Sequence, residues 1–298
     1  MIVVLSEDSF VDPNTINGRE LRATVEAARM FGCRIYPIPP SLEECGTAED
    51  ALAYLPAFDP PVPGVIAGYI PTTDHYSAVY EAAAAKGVRL VNTPSQHQTA
   101  MEFDKFYPLL AELTPESVVV SSLDDLLPSA EDLQFPVFVK GAVKSNKDQG
   151  WAACVAHNLT ELEAIAANLF ARQRRSRGRI ILRRLVKFRS LATDRQGFPI
   201  GREYRAFIYR NEIIALAFYW DEYRDSSALT DSDRSAIERL SLEASRRLGA
   251  PYVALDIGQL EDGNWIVIEA SDGQFAGLSH VGLFELWSKL ADIKIESL

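Results

Sequence analysis

Cysteine is scarce in this 298-residue sequence: Cys33, Cys45 and Cys154 are odd in number and widely spaced, which leaves neither a disulfide framework nor a zinc-ligand pattern. No run of 18 apolar residues occurs, and the opening MIVVLSEDSF lacks a basic flank and turns acidic after five residues, so neither a membrane span nor a secretory leader is expected. Basic residues are outnumbered, 30 lysines and arginines against 41 aspartates and glutamates, for a net charge of -11. That sign opposes a phosphate backbone, so nucleic acid is not expected as a partner and small molecules or peptides are. No segment of 20–50 residues repeats, which excludes a solenoid or propeller. These absences predict a cytoplasmic protein without a membrane partner.

What is present is ordinary in bulk, 47% hydrophobic and 24% charged residues, and suffices for a sizeable core divided into two or three lobes. Short apolar runs at 2–5, 33–38, 62–70 and 88–91 alternate with helical patterns at 18–31 and 76–86, each closed by a glycine, Gly32 or Gly87. This alternation predicts an open parallel α/β sheet. Asn92-Thr93-Pro94 ends it and sets a lobe boundary near residue 95.

Beyond that boundary the pattern predicts one continuous helix over 95–113, a short edge strand at 118–120 and an apolar strand, PVFVK, that ends at Lys140. The loop 142–150 carries Lys144 and Lys147 but little glycine, so side-chain charge rather than a backbone nest would hold an anion there; the alternative is an exposed, mobile loop. A strand over 151–156 follows, then a helix over 160–171 with Thr160 and Glu163 as its capping box, and a solvated basic linker at 173–179. RIILRRLV at 179–186 reads as a strand interrupted by Arg183 and Arg184.

Residues 203–220 read as a hairpin turning at Arg210-Asn211 or Asn211-Glu212, with Glu203, Arg205, Phe207 and Tyr209 on one face. An arginine in that company is a planar oxyanion binder or the partner of an internal pair with Glu203. Amphipathic helices are expected over 230–248 and 283–295.

The stretch 251–277 carries the sharpest signal. If Asp262-Gly263 forms the turn between two β-prone runs, Glu261 pairs with Asn264 and Asp256 falls opposite Glu269, with β-carbons roughly 5 Å apart. On this reading the same face offers Tyr252, Ala254, Trp265 and Val267 and no base, so the two acids require a cation, and a hard divalent ion completed by nucleotide phosphates is the simplest one. The alternative is a hairpin whose acids face water.

Taken together, Asn92-Thr93-Pro94, Asp104-Lys105, the strand ending at Lys140, IILRRLV, Glu203-x-Arg205 and the pair Asp256 and Glu269 resemble the ATP-grasp superfamily in order and spacing. The resemblance spans essentially the whole chain. It implies an ATP-grasp fold, mixed α/β and α+β, with an N-terminal Rossmann-like α/β lobe at 1–95, a small nucleotide-binding lobe at 96–184 and a metal-binding lobe at 185–298. It implies ATP with Mg²⁺ or Mn²⁺. Lys105, Lys140, Lys147 and Glu203 would meet the nucleotide, the backbone of Arg183, Arg184, Leu185 and Val186 would contact adenine, and Arg205 with Lys144 would hold the transferring phosphoryl group.

In the same resemblance Asp256 and Glu269 would ligate the metal. The family's Glu-x-Asn is Glu269-Ala270-Ser271 here, so Asp272 stands in as third ligand, and Arg183-Arg184 replaces the usual Gln-Glu pair. The implied reaction is ADP-forming ligation of a small-molecule or peptide carboxylate to an amine. Nucleotide binding without ligation and a kinase that stops at phosphoryl transfer stay open, as does a homodimer.

Overall fold

The computed structural model describes residues 1–43, 45–195, 197–220 and 228–294. Its first sheet is parallel, in the order β2-β1-β3-β4, from β1 (Val3–Ser6), β2 (Arg34–Pro37), β3 (Val62–Ala67) and β4 (Val88–Leu90). Buried on both faces, these strands are nearly continuous apolar runs, as a helix-covered parallel sheet demands. One face packs on α2 (Ala48–Ala51) and α3 (Thr73–Ala85) through Leu5, Leu52, Tyr76 and Val79. The other packs on α1 (Ile16–Met30), whose Thr15 side chain accepts from Gly18 N at the N-terminus.

The expected helix over 95–113 is two helices, α4 (Pro94–Met101) and α5 (Phe103–Leu110). Glu102 between them is extended (φ -101°, ψ 120°) and its carboxylate, 1% exposed, accepts from Arg177 and Arg179. Phe103 N reaches across to Ala142 O, so the break is fixed by bonds outside the helix that propensity cannot foresee. Asn92 exchanges two bonds with the backbone of Tyr252, a strand mimic that ties the first sheet to the last.

The middle sheet runs β5-β8-β6-β7, antiparallel, from β5 (Ser117–Val120), β6 (Val137–Gly141), β7 (Val155–Ala156) and β8 (Ile180–Arg184). Its core face packs on α6 (Leu126–Leu133) and α7 (Leu159–Phe170). Asn158, not Thr160, caps α7, because Asn158 Oδ1 accepts from Glu161 N. The strand expected at 151–156 is mostly tight turn, with only Val155 and Ala156 paired. The basic stretch is no solvated linker: α8 (Gln173–Ser176) clamps the lysine loop. Arg175 O accepts from Val143 N and Lys144 N, and Arg175 donates to the backbone of Ser145 and to Asp148. A β-carbon on Gly141 would lie 2.3 Å from Arg175 O, so glycine is required where this loop crosses the strand end.

A two-stranded ribbon, β9 (Ser190–Thr193) and β10 (Pro199–Gly201), precedes the last sheet. That sheet is antiparallel, β12-β11-β13-β14, built from β11 (Glu203–Tyr209), β12 (Glu212–Phe218), β13 (Tyr252–Gln259) and β14 (Trp265–Asp272). Arg210 and Asn211, both at positive φ, make its first turn. Tyr204, Ala206, Val253 and Leu255 pack one face on α5 and on α9 (Asp231–Leu248). Phe207, Tyr252 and Ala254 pack the other on the first sheet and on α10 (Leu283–Leu290). Of the closing helix expected over 283–295, Ile295 lies outside the described residues. No helix among the described residues is long and apolar enough to cross a membrane.

Candidate functional site

Asp256 and Glu269 are cross-strand partners, but by a route the turn pattern does not show. The hairpin closes one residue further out: Leu260 N donates to Asn264 O around a three-residue loop, with Gly263 at φ +90°. Ile268 then bulges from β14, between the pairs Ile257 with Val267 and Asp256 with Glu269, and restores the register. The bulge moves Val267 and Trp265 to the opposite face, where they join the core with Leu255 and Ile257. It also turns Ile268 O toward Arg183, whose Nη1 donates to it at 2.8 Å.

Neither acid lacks a base. Arg205, one strand over and in register with Asp256, donates from Nε and Nη2 to the Asp256 carboxylate at 2.7 and 2.8 Å. Lys140 crosses from the middle sheet to Glu269 at 2.5 Å. The inference of a metal from unbalanced charge is therefore corrected: bases from β11 and β6 neutralise the pair, and neither was visible from the hairpin alone. Arg205 pairs with Asp256 rather than Glu203. Burial raises the Glu269 carboxyl, but Lys140, Lys147 and Arg183 outweigh it and hold the group down at about 2. Lys140, 4% exposed, is lowered from the ordinary lysine range by burial, against the pull of Glu269.

These charges form the floor of a cleft of about 310 Å³ between the middle and last sheets. Alternation along β6 and β8 sends Phe138, Lys140 and Arg183 into it. Lys147, Leu185, Val186 and Glu203 line it as well. Arg184 lines it too, but its guanidinium is held by Glu116 in an exposed pair. Arg183 is engaged by Ile268 O and lies 4.8 Å from the Phe103 ring centroid, so its side chain pins the two sheets together.

Three assigned residues stand elsewhere. Lys105 is half-exposed on α5 beside Asp104 and does not line the cleft. Lys144 lines a second cavity of about 190 Å³, between α1, the end of β3, residues 273–278 and α10. Asp272 is fully buried on the opposite side of β14, where its carboxylate engages His97 Nδ1 and accepts from Gln274; it is corrected as a metal ligand. Among the described residues no three histidine, cysteine or acidic side chains gather as a metal cage.

Sequence reading missed the aromatic wall of the cleft: Trp151, Phe188, Phe198, Tyr219 and Trp220. The residue pair Tyr219-Trp220 and the ribbon aromatics were visible as residues, but no spacing rule brings them together. Phe198 sits between Trp151 and Trp220, with centroids 5.2 and 6.2 Å away. It missed the second cavity as well, although Arg205 connects the two by donating from Nη1 to Gly277 O at 2.6 Å.

Comparison with known proteins agrees with this architecture. Over 98–99% of the chain, three solved structures superpose on it. A RimK domain protein ATP-grasp from Sphaerobacter thermophilus does so at 14% identity, TM-score 0.62 and 99% of its own length. D-alanine--D-alanine ligase from Bacillus anthracis, complexed with ATP, does so at 14%, 0.65 and 91%. D-cycloserine synthetase DcsG does so at 15%, 0.64 and 99%. A search of curated proteins finds no match. The sequence profile of an ATP-grasp domain, the third family of its clade, matches residues 127–290, more than half the chain. With its fold shared and its cleft built by the matched segment, the chain belongs to this family of ATP-grasp proteins.

Proposed function

We propose that this protein binds ATP in the aromatic cleft and uses it to activate a substrate carboxylate as an acyl phosphate, which an amine then captures. The observation that carries the reading is the gathering of Lys140, Lys147 and Arg183 from the middle lobe against Asp256, Glu269 and Arg205 of the last. Cations around a polyphosphate and an arginine at the reacting phosphoryl group are what phosphoryl transfer requires of a protein. The division into lobes at 1–95, 96–184 and 185–298 puts the cleft between the second and third. Similar folds act as a D-alanine ligase and a D-cycloserine synthetase, which supports ligation as the reaction class.

The apolar walls would receive the base, with the backbone of Leu185 and Val186 along its edge. Two carboxylates match the one or two that Mg²⁺ takes from a protein, and the surplus of cations suits an ion delivered with the nucleotide rather than a resident one. Asp256 and Glu269 would hold Mg²⁺ or Mn²⁺, which neutralises phosphate charge when bound. Arg205 would face the γ-phosphate, and the acid or the amine would enter through the second cavity, where Lys144 waits. A carboxylate oxygen attacks the γ-phosphorus and ADP leaves; the amine attacks the acyl carbon and phosphate leaves.

Incubation with MgATP and a panel of carboxylates and amines is expected to yield ADP and phosphate only with the matching acid, and hydroxylamine to trap a hydroxamate. AMP formation overturns the mechanism. Phosphorylation of an alcohol without hydroxamate would make the protein a kinase. Nucleotide binding without turnover on any panel would leave a binding module.

Glu203 adds a pH dependence. It is 9% exposed, and burial, with Asp256 adding and Lys147 opposing, pushes its carboxyl up to about 8. Below that pH the group is neutral and tolerates a polyphosphate; above it a negative charge faces the nucleotide. MgATP affinity measured by calorimetry is expected to fall about tenfold between pH 7 and 9, and Glu203→Gln to flatten the profile. The sign for folding agrees: between about 4.5 and 8 the folded state holds a proton that the unfolded state has lost, so this group's contribution declines as pH rises.

A further inference from the structure

Tyr219 follows β12 directly, and its backbone N–H extends the ladder to Glu203 O. It is only half-buried, yet it touches two cations that come from different lobes. Its hydroxyl accepts from Lys147 Nζ at 2.5 Å, and its ring centroid lies 4.8 Å from the Arg205 guanidinium carbon. Lys147 thus crosses from the loop of the middle lobe to the end of a strand of the last lobe, where Trp220 flanks it with a ring centroid 5.5 Å away. Burial lowers the Lys147 ammonium, but Tyr219, Glu269 and Glu203 outweigh it and raise the group.

The rest of the loop is fastened to its own lobe. Arg175 holds Ser145 O and Asp148, and Asn146, 1% exposed, donates to Asn168. A glycine-poor loop has few conformations of its own to fold over a ligand, so its position across the cleft depends on the side chain that reaches over. Arg205 is a flat group whose edge is fixed by Asp256 and Gly277 O, and an aromatic face against it fixes the remaining tilt.

We propose that Tyr219 is a positioning residue that closes the lysine loop through its hydroxyl and sets the plane of Arg205 through its ring, so that both cations reach the polyphosphate together. This rests on the ATP reading above for its ligand, but the anchor itself does not.

The test therefore has two arms. Amide hydrogen exchange across 144–151 without nucleotide is expected to quicken about tenfold in Tyr219→Phe and equally in Lys147→Met, with no further gain in the double variant. Exchange in Tyr219→Phe within twofold of wild type, or additive effects, overturns the anchor. Titration with MgATP and MgADP reads the ring. Tyr219→Phe should weaken both about tenfold and keep their ratio. Tyr219→Ala should also lower the preference for ATP about tenfold, because Arg205 loses its plane. An unchanged ratio in Tyr219→Ala overturns the Arg205 half. A wild type that binds neither nucleotide overturns the function proposed above and that same half, while the exchange data still decide the anchor.

Discussion

Asp256→Asn is expected to lower Mg²⁺-dependent ADP formation at least about a hundredfold and to destabilise the fold by about 2–3 kcal/mol. The hairpin alone predicts the opposite for folding, since relief of repulsion between two opposed acids would be neutral or stabilising. The structure reverses that sign. Asp256 is 5% and Arg205 9% exposed, and the two are joined by a bidentate pair, so removing the carboxylate leaves a buried guanidinium with one weak acceptor in its place. Asparagine keeps one oxygen, which sets the figure at the lower end of what a broken buried pair costs. Guanidinium unfolding measures it. Arg205→Met combined with Asp256→Leu should recover most of the stability and none of the turnover, because it removes both charges. A single variant as stable as wild type would mean that the pair contributes nothing to folding.

Why the pairing was legible and its partners were not follows from how each is encoded. Opposition of Asp256 and Glu269 depends on local alternation, which sequence displays, and two unforeseen irregularities, the three-residue loop at Glu261–Gly263 and the Ile268 bulge, shift the register in compensating directions. The neutralising bases lie on β11 and β6, 51 and 129 residues away, and no periodicity reports such distances. The α/β alternation of the first 90 residues was readable for the same local reason. The break at Glu102 and the arginine clamp on the lysine loop were not, because their bonds join segments about 75 and 30 residues apart. Family likeness supplied the cleft residues Lys140, Lys147 and Val186, whereas it misplaced Lys105 and Asp272, whose surroundings here are a solvent-facing helix and a buried histidine.

Lys140→Met carries the other large expectation, a loss of MgATP affinity of at least about a hundredfold with an altered acid stability profile. In the wild type the Glu269 carboxyl is held at about 2 rather than 4.5 by Lys140, Lys147 and Arg183. A depressed acid contributes stability that is complete above about 4.5 and is lost as pH falls from there toward 2. With the Glu269 side chain 34% exposed, solvent screening reduces that contribution to about 1–2 kcal/mol. Without Lys140, the strongest of the three partners is gone while burial still acts on Glu269, so its carboxyl returns toward the ordinary range and the decline between pH 5 and 3 should shrink to less than half. Stability at pH 7 should drop at the same time, since a largely buried carboxylate has lost its counter-ion. Chemical denaturation at pH 3, 4, 5 and 7 reads both effects, and an unchanged acid limb would mean that Lys147 and Arg183, not the crossing from β6, hold Glu269 ionised.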